Sequence, residues 1–134
     1  MTALSSFAEV KVLDLLFRNT AYTAPNAYLG LFTSDPTDSA SGTEVSGNNY
    51  ARVQIDNKMA AATTGSDNSS ISSNANITFP AASGGDFGTI THIGIFDAST
   101  SGNLLAHGAL TASKIISDGD TFQINSGSLT ITID

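Results

Sequence analysis

The sequence predicts a mainly β protein, an antiparallel β-sandwich or jelly-roll-like domain that carries one helix at its N-terminus. Three observations predict it. Short apolar stretches bounded by Gly, Asn, Asp and Ser recur about every 8 to 12 residues through the second half, the rhythm of sandwiches and barrels rather than of βαβ units. Only one segment, near the start, has helical periodicity. Charged residues make up only 13% of the chain, so most of the polar surface must be Ser, Thr, Asn and Gly, which favour turns and strands over helices.

Residues 3–18 read as the helix. Ser6 followed by Glu9 matches a capping box, and Thr2 could cap a slightly longer version. Phe7, Val10, Leu13 and Phe17 recur at spacings of three and four, and Val12, Leu15 and Leu16 widen the apolar face. Asp14 and Arg18 stand four apart and can pair. So short a helix draws its stability from packing. Its apolar face, with Phe7, Val10, Leu13, Leu16 and Phe17 at its centre, either closes one side of its own sheet or docks on another subunit.

The β domain is expected over residues 27–133, and the whole chain, residues 1–134, is expected to form one domain, as its length allows. Residues 27–33 read as a buried strand. A long polar stretch, 34–49, follows with Pro36, Gly42 and Gly47, and such a length without periodicity reads as a functional or mobile loop. Residues 50–55 resume as a strand, with Tyr50, Arg52 and Gln54 on one face and Ala51, Val53 and Ile55 on the other. A second polar loop is expected over 60–73. Ile77 and Phe79 alternate before Pro80. Residues 89–97 form the strongest strand, with Ile93 and Ile95 on one face and His92, Gly94 and Phe96 on the other. The chain then turns and returns through 103–110 as an antiparallel hairpin that sets position 92 near 108. Turns at Asp118–Asp120 and Asn125–Ser128 separate two further strands, for a sheet of six to eight strands.

The residues supply no active site. Neither a G-x-S-x-G elbow nor a glycine-rich phosphate loop occurs. Asp118 and Asp120 flank one glycine, which defines no separation of catalytic carboxylates. With no cysteine there is no thiolate ligand. His92 and His107 come near each other across the hairpin, but the nearest carboxylates in sequence, Asp86 and Asp97, follow no ligand spacing, so both read as ordinary strand residues. Asp35, Asp38 and Glu44 lack the alternation of a calcium loop and read as solvated. No cofactor is expected. The net charge of −7 and the scattered basic residues argue against nucleic-acid or membrane partners, and no run reaches the roughly 18 apolar residues of a membrane span. The tyrosines Tyr22, Tyr28 and Tyr50 leave a carbohydrate-binding module open as a further reading.

In order along the chain, FAEVKVLDLLFR, TAYTAP, YLGLFTSDPTD, GTEVSGNNYAR, ITFP, GTITHIGIFDA and GNLLAHGALT resemble a family of small structural proteins of tailed phages and prophages, often labelled tail fibre proteins. The resemblance runs from about Phe7 to Ile133. It implies a non-enzymatic virion component, a homo-oligomer whose partners are a major capsid protein or tail proteins. The placement expected first is capsid decoration, a cement protein bound to the outer shell. The alternative is a tail fibre or tail adaptor; the chain has no collagen-like or coiled-coil repeat of a fibre shaft. The contact elements expected in either case are the helix and the two polar loops, with Asp35, Asp38, Glu44, Asn48, Asn49, Tyr50 and Asn68 as candidate contact residues.

Overall fold

In the computed structural model, which describes residues 2–133, three antiparallel sheets, one α-helix and a short 3-10 helix (Asp56–Lys58) account for the regular structure. The ends of the expected domain, residues 1 and 134, lie outside the described residues. The largest sheet joins β1 (Thr2–Leu4), β8 (Leu104–Ile116), β7 (Gly88–Phe96), β2 (Tyr28–Phe32) and β3 (Val53–Gln54), in that spatial order. A second sheet is formed by β10 (Thr130–Ile133), β5 (Ser69–Ser72) and β4 (Thr63–Thr64), and a third by β6 (Ile77–Thr78) with β9 (Gln123–Ile124). The mainly β, sandwich-like architecture with one N-terminal helix is the one the sequence predicts. The single sheet of six to eight strands is not: short strands are divided among three sheets.

The core follows from strand alternation. Leu29 and Leu31 of β2 lie opposite Ile95 and Ile93 of β7, and all four point to one face. Phe79, Phe87, Phe122, Leu129 and Ile77 cover that face, with Phe79 and Phe122 edge-on at 5.8 Å between ring centres. Each such side chain stabilises the fold by about 1.5–3 kcal/mol on burial. On the opposite face Phe32 and Phe96 stack at 6.0 Å beside Leu104. They meet above Gly94, where a Cβ would come 2.8 Å from the Phe32 ring, so only glycine fits beneath the pair.

The β7–β8 hairpin forms as expected, one residue out of the expected register: His92 pairs with Ala109, and Ile93 with Gly108. Asp97 closes its turn by accepting from the Asn103 backbone N–H at 2.7 Å and from the Asn103 amide at 2.8 Å.

Three segments differ from the sequence reading. Residues 3–18 are not one helix: β1 takes the first of them, and α1 spans Ser6–Phe17. The cap is Ser5, not Ser6 or Thr2. Its hydroxyl oxygen accepts from the Ala8 N–H at 3.2 Å and donates to the Leu104 carbonyl, while its own N–H donates to Leu105 at 2.9 Å. One wholly buried serine thus ends a strand, starts a helix and ties both to β8. At the other end Asn19 adopts a left-handed conformation (φ 52°), and the Arg18 and Thr20 N–H groups return to the Asp14 carbonyl. The Asp14–Arg18 pair forms at 2.9 Å.

The strand expected over 50–55 shrinks to β3, and the Tyr50 N–H turns back to the Gly47 carbonyl at 2.9 Å instead of joining a ladder. The loop expected over 60–73 contains β4 and β5; β4 pairs with β5, and β5 pairs in turn with β10, where the Ser72 and Thr130 hydroxyls lie 2.9 Å apart.

Candidate interaction surface

The helix carries the most exposed apolar side chains. Residues of α1 touch their own chain chiefly through β8 and β1, and Ala8 is the one helical residue that is buried. Val10 and Leu13 are more than half exposed, Leu16 is 65% exposed and Phe17 77%, and Val12 and Leu15 join them. Phe7 differs: it is half-buried, with the Tyr22 ring edge-on at 6.4 Å and the Lys11 ammonium 5.3 Å from its centre. The helix therefore does not close its own sheet. Its outward surface is a contiguous apolar face of the kind that marks an interaction site.

The candidate contact residues of 34–49 mostly serve the fold. The stretch expected as a functional or mobile loop is held by backbone bonds from Thr33 to Thr43, from Val45 to Leu31 and from Ser41 to Pro36. Glu44 sits at the centre of a polar cluster. Its carboxylate accepts two bonds from Arg52, both at 2.7 Å, and one from the Tyr50 hydroxyl at 2.8 Å. Tyr50 in turn accepts from the Leu31 N–H at 2.9 Å. The Arg52 side chain, 7% exposed, also donates to the carbonyls of Ala98 and Ser101 and lies 3.5 Å above the Phe96 ring. Gly30 makes room for this cluster, since a Cβ there would meet the Glu44 carboxylate at 2.8 Å. Burial pushes the Tyr50 hydroxyl well above its ordinary pKa, and the Glu44 charge pushes it further. The Tyr50 ring packs on Phe79 and Phe87.

Asn48 and Asn49 both take left-handed conformations and pin the loop to the distant segment 81–86, donating to the Asp86 carbonyl at 2.8 Å and the Ala81 carbonyl at 3.0 Å. Asp35 and Asp38 meet the two histidines. His107 Nε2 lies 2.9 Å from Asp38, and Asp35 lies 3.7 Å from His107 and 4.0 Å from His92. The carboxylates near the histidines are thus these two and not Asp86 or Asp97. Among the described residues no group of three or more His, Cys, Asp or Glu is disposed to hold a metal ion. Asn68 is exposed at the β4–β5 turn, its carbonyl accepting from Gly65. Tyr22 packs on Phe7, and Tyr50 on Phe79 and Phe87.

Sequence reasoning passed over Arg52 and Ser5. Ser5 stood one residue before a motif that matched better, and the partners of Arg52 lie in two separate segments, at Glu44 and in 96–101. Among the described residues no helix is long and apolar enough to cross a membrane.

The chain matches, over residues 3–132, the family model described as podophage GP4 fiber I protein gp80. Comparison with curated proteins gave no match. With nearly its whole length matched, the chain belongs to this fibre protein family, and it is a non-enzymatic structural protein of the phage virion.

Proposed function

We infer that this member of the podophage fibre family is a structural subunit of the fibre apparatus of the tail, fastened to neighbouring virion proteins through the apolar face of α1. The exposed stripe of Val10, Leu13, Leu16 and Phe17 carries the reading. A free apolar face of this width is costly in water, and burial on a protein partner removes the cost. The family description supports the tail and not the capsid decoration expected first. The contact is mechanical: shape-matched burial, with the tied loop 34–49 and its Glu44–Arg52 cluster acting as scaffold. Repeated copies suit such a role, and a homo-oligomer remains part of the reading.

Cryo-electron microscopy of the virion tests the placement: density for this chain confined to the tail fibres is expected, and a repeat over the capsid shell would reject it. The double variant Leu13→Asp, Leu16→Asp tests the surface. It should fold, by circular dichroism, and fail to enter particles. Normal incorporation would reject the helix as the attachment.

A further inference from the structure

α1 is turned the wrong way for a helix on the surface of its own domain. The side facing its own chain holds Phe7, Ala8, Lys11 and Asp14, all buried or half-buried, and the apolar side faces out. Within that outward side Glu9, Val12, Leu13 and Leu16 stand at i, i+3, i+4 and i+7, one stripe along the helix. Glu9 is the one charged residue in the stripe, and among the described residues it has no ion-pair partner.

A second unmatched surface lies elsewhere on the chain. Between Ala109, opposite His92, and Lys114, opposite Ile90, strand β8 bulges, and four of its residues answer to the single Thr91. Beside the bulge is a groove of about 600 Å³. Buried Ile116, Phe122 and Leu129 line it together with half-buried Leu110 and Ile124, so one end of the core shows at its base. Among the described residues Lys114 is the one charged residue lining it, and it too has no ion-pair partner.

We propose that these surfaces are the two halves of one contact: the outward stripe of α1 in one copy seats in the β8 groove of a second copy, with Glu9 of the first against Lys114 of the second. The proposal rests on α1 being the attachment face and names what it attaches to. The stripe is apolar with one carboxylate and the groove apolar with one ammonium, so seating pairs both charges and covers leucines that otherwise stand in water. A helix ~10–12 Å across does not sink into such a groove, but a ridge of its side chains does. Two α1 helices packed on each other would instead set Glu9 against a second Glu9 or bury it on a leucine, and would leave the groove open. Because the two surfaces differ, the contact is heterologous. Each copy offers a helix to one neighbour and a groove to the other, and copies join head to tail into a ring or a filament.

Sedimentation velocity of the full chain over a concentration series reads the contact. The wild type should self-associate. Glu9→Lys and Lys114→Glu, each folded by circular dichroism, should each weaken association about tenfold or more. Mixing the two variants should restore it, because each reversed charge then meets its opposite, and that recovery excludes misfolding as the cause of the loss. A wild type that stays monomeric at every concentration would overturn the proposal. So would a mixture that recovers nothing, or association that Lys114→Glu leaves unchanged, since α1 would then meet some other surface. Particle incorporation of Leu13→Asp, Leu16→Asp judges the attachment reading separately: its failure beside a monomeric wild type would keep that reading and make a different virion protein the occupant.

Discussion

Leu29, Leu31, Ile93 and Ile95 in β2 and β7 are each at most 5% exposed, while Leu13, Leu16 and Phe17 in α1, of the same chemistry, stand in water. The sheet residues are buried because alternation sends them to one face and the phenylalanines of three later segments fold over it. The helix has no such cover: three turns long, it buries only Ala8, with Phe7 half-buried beside Tyr22. Apolar content is a demand for a partner, and only the geometry says whether the chain itself meets it. In this protein the sheet's demand is met internally and the helix's is not.

The largest effect that would sharpen this contrast is Leu31→Ala. The residue is fully buried between β2 and the phenylalanine layer, so the truncation should cost about 2–5 kcal/mol in urea unfolding. Next comes Arg52→Ala, which leaves the Glu44 carboxylate without its bidentate partner and uncovers the Phe96 ring. Glu44 is a quarter exposed, so the loss should fall at about 2–3 kcal/mol, below that of a wholly buried pair. A drop below 1 kcal/mol would mean that the cluster is less ordered than its distances imply.

Tyr50→Phe follows, at about 1–2 kcal/mol, because it leaves the buried Leu31 N–H without its acceptor. This residue also sets an alkaline limit. Its folded pKa is raised, chiefly by burial, so the folded state holds the proton after the unfolded chain has lost it near pH ~10. The stabilisation is complete below that pH and is lost as pH rises above it. The wild type should lose stability more steeply than Tyr50→Phe above pH ~10 in denaturant melts, and equal slopes would remove Tyr50 as the cause.

What was legible in the sequence follows the same division. The Ile93–Ile95 alternation and the Asp97–Asn103 turn are local, and β7 and its hairpin could be read within one residue of register. β4 and β5 could not, since Ser and Thr in a half-exposed sheet carry no hydrophobic period and β10, the partner of β5, lies at the far end of the chain. The helix start was misplaced because Ser5 derives its role from Leu104 and Leu105. Of the candidate contact residues, Glu44, Asn48, Asn49 and Tyr50 also bond within the chain, to partners that polarity in a loop does not reveal; Asp38 finds His107, 69 residues away. The helix face was legible as apolar, and its two fates were equally consistent with the periodicity, because periodicity fixes which residues share a face and not what that face meets.

The smallest expected effect is the one that could break the comparison. Leu16→Ser, on the outward side of α1, removes an apolar side chain that already lies 65% in water, and the helix keeps its Ser5 cap and its Asp14–Arg18 pair. The isolated protein should change in stability by no more than about 0.5 kcal/mol, against several for Leu31→Ala. Its sedimentation should change only where copies or partners meet through the helix. A loss as large as that of the sheet residue would mean that α1 packs on its own chain in solution, and the two regions would then be one core. A near-zero loss joined to failed incorporation into particles would leave one explanation for the exposed leucines: they are kept for a neighbour.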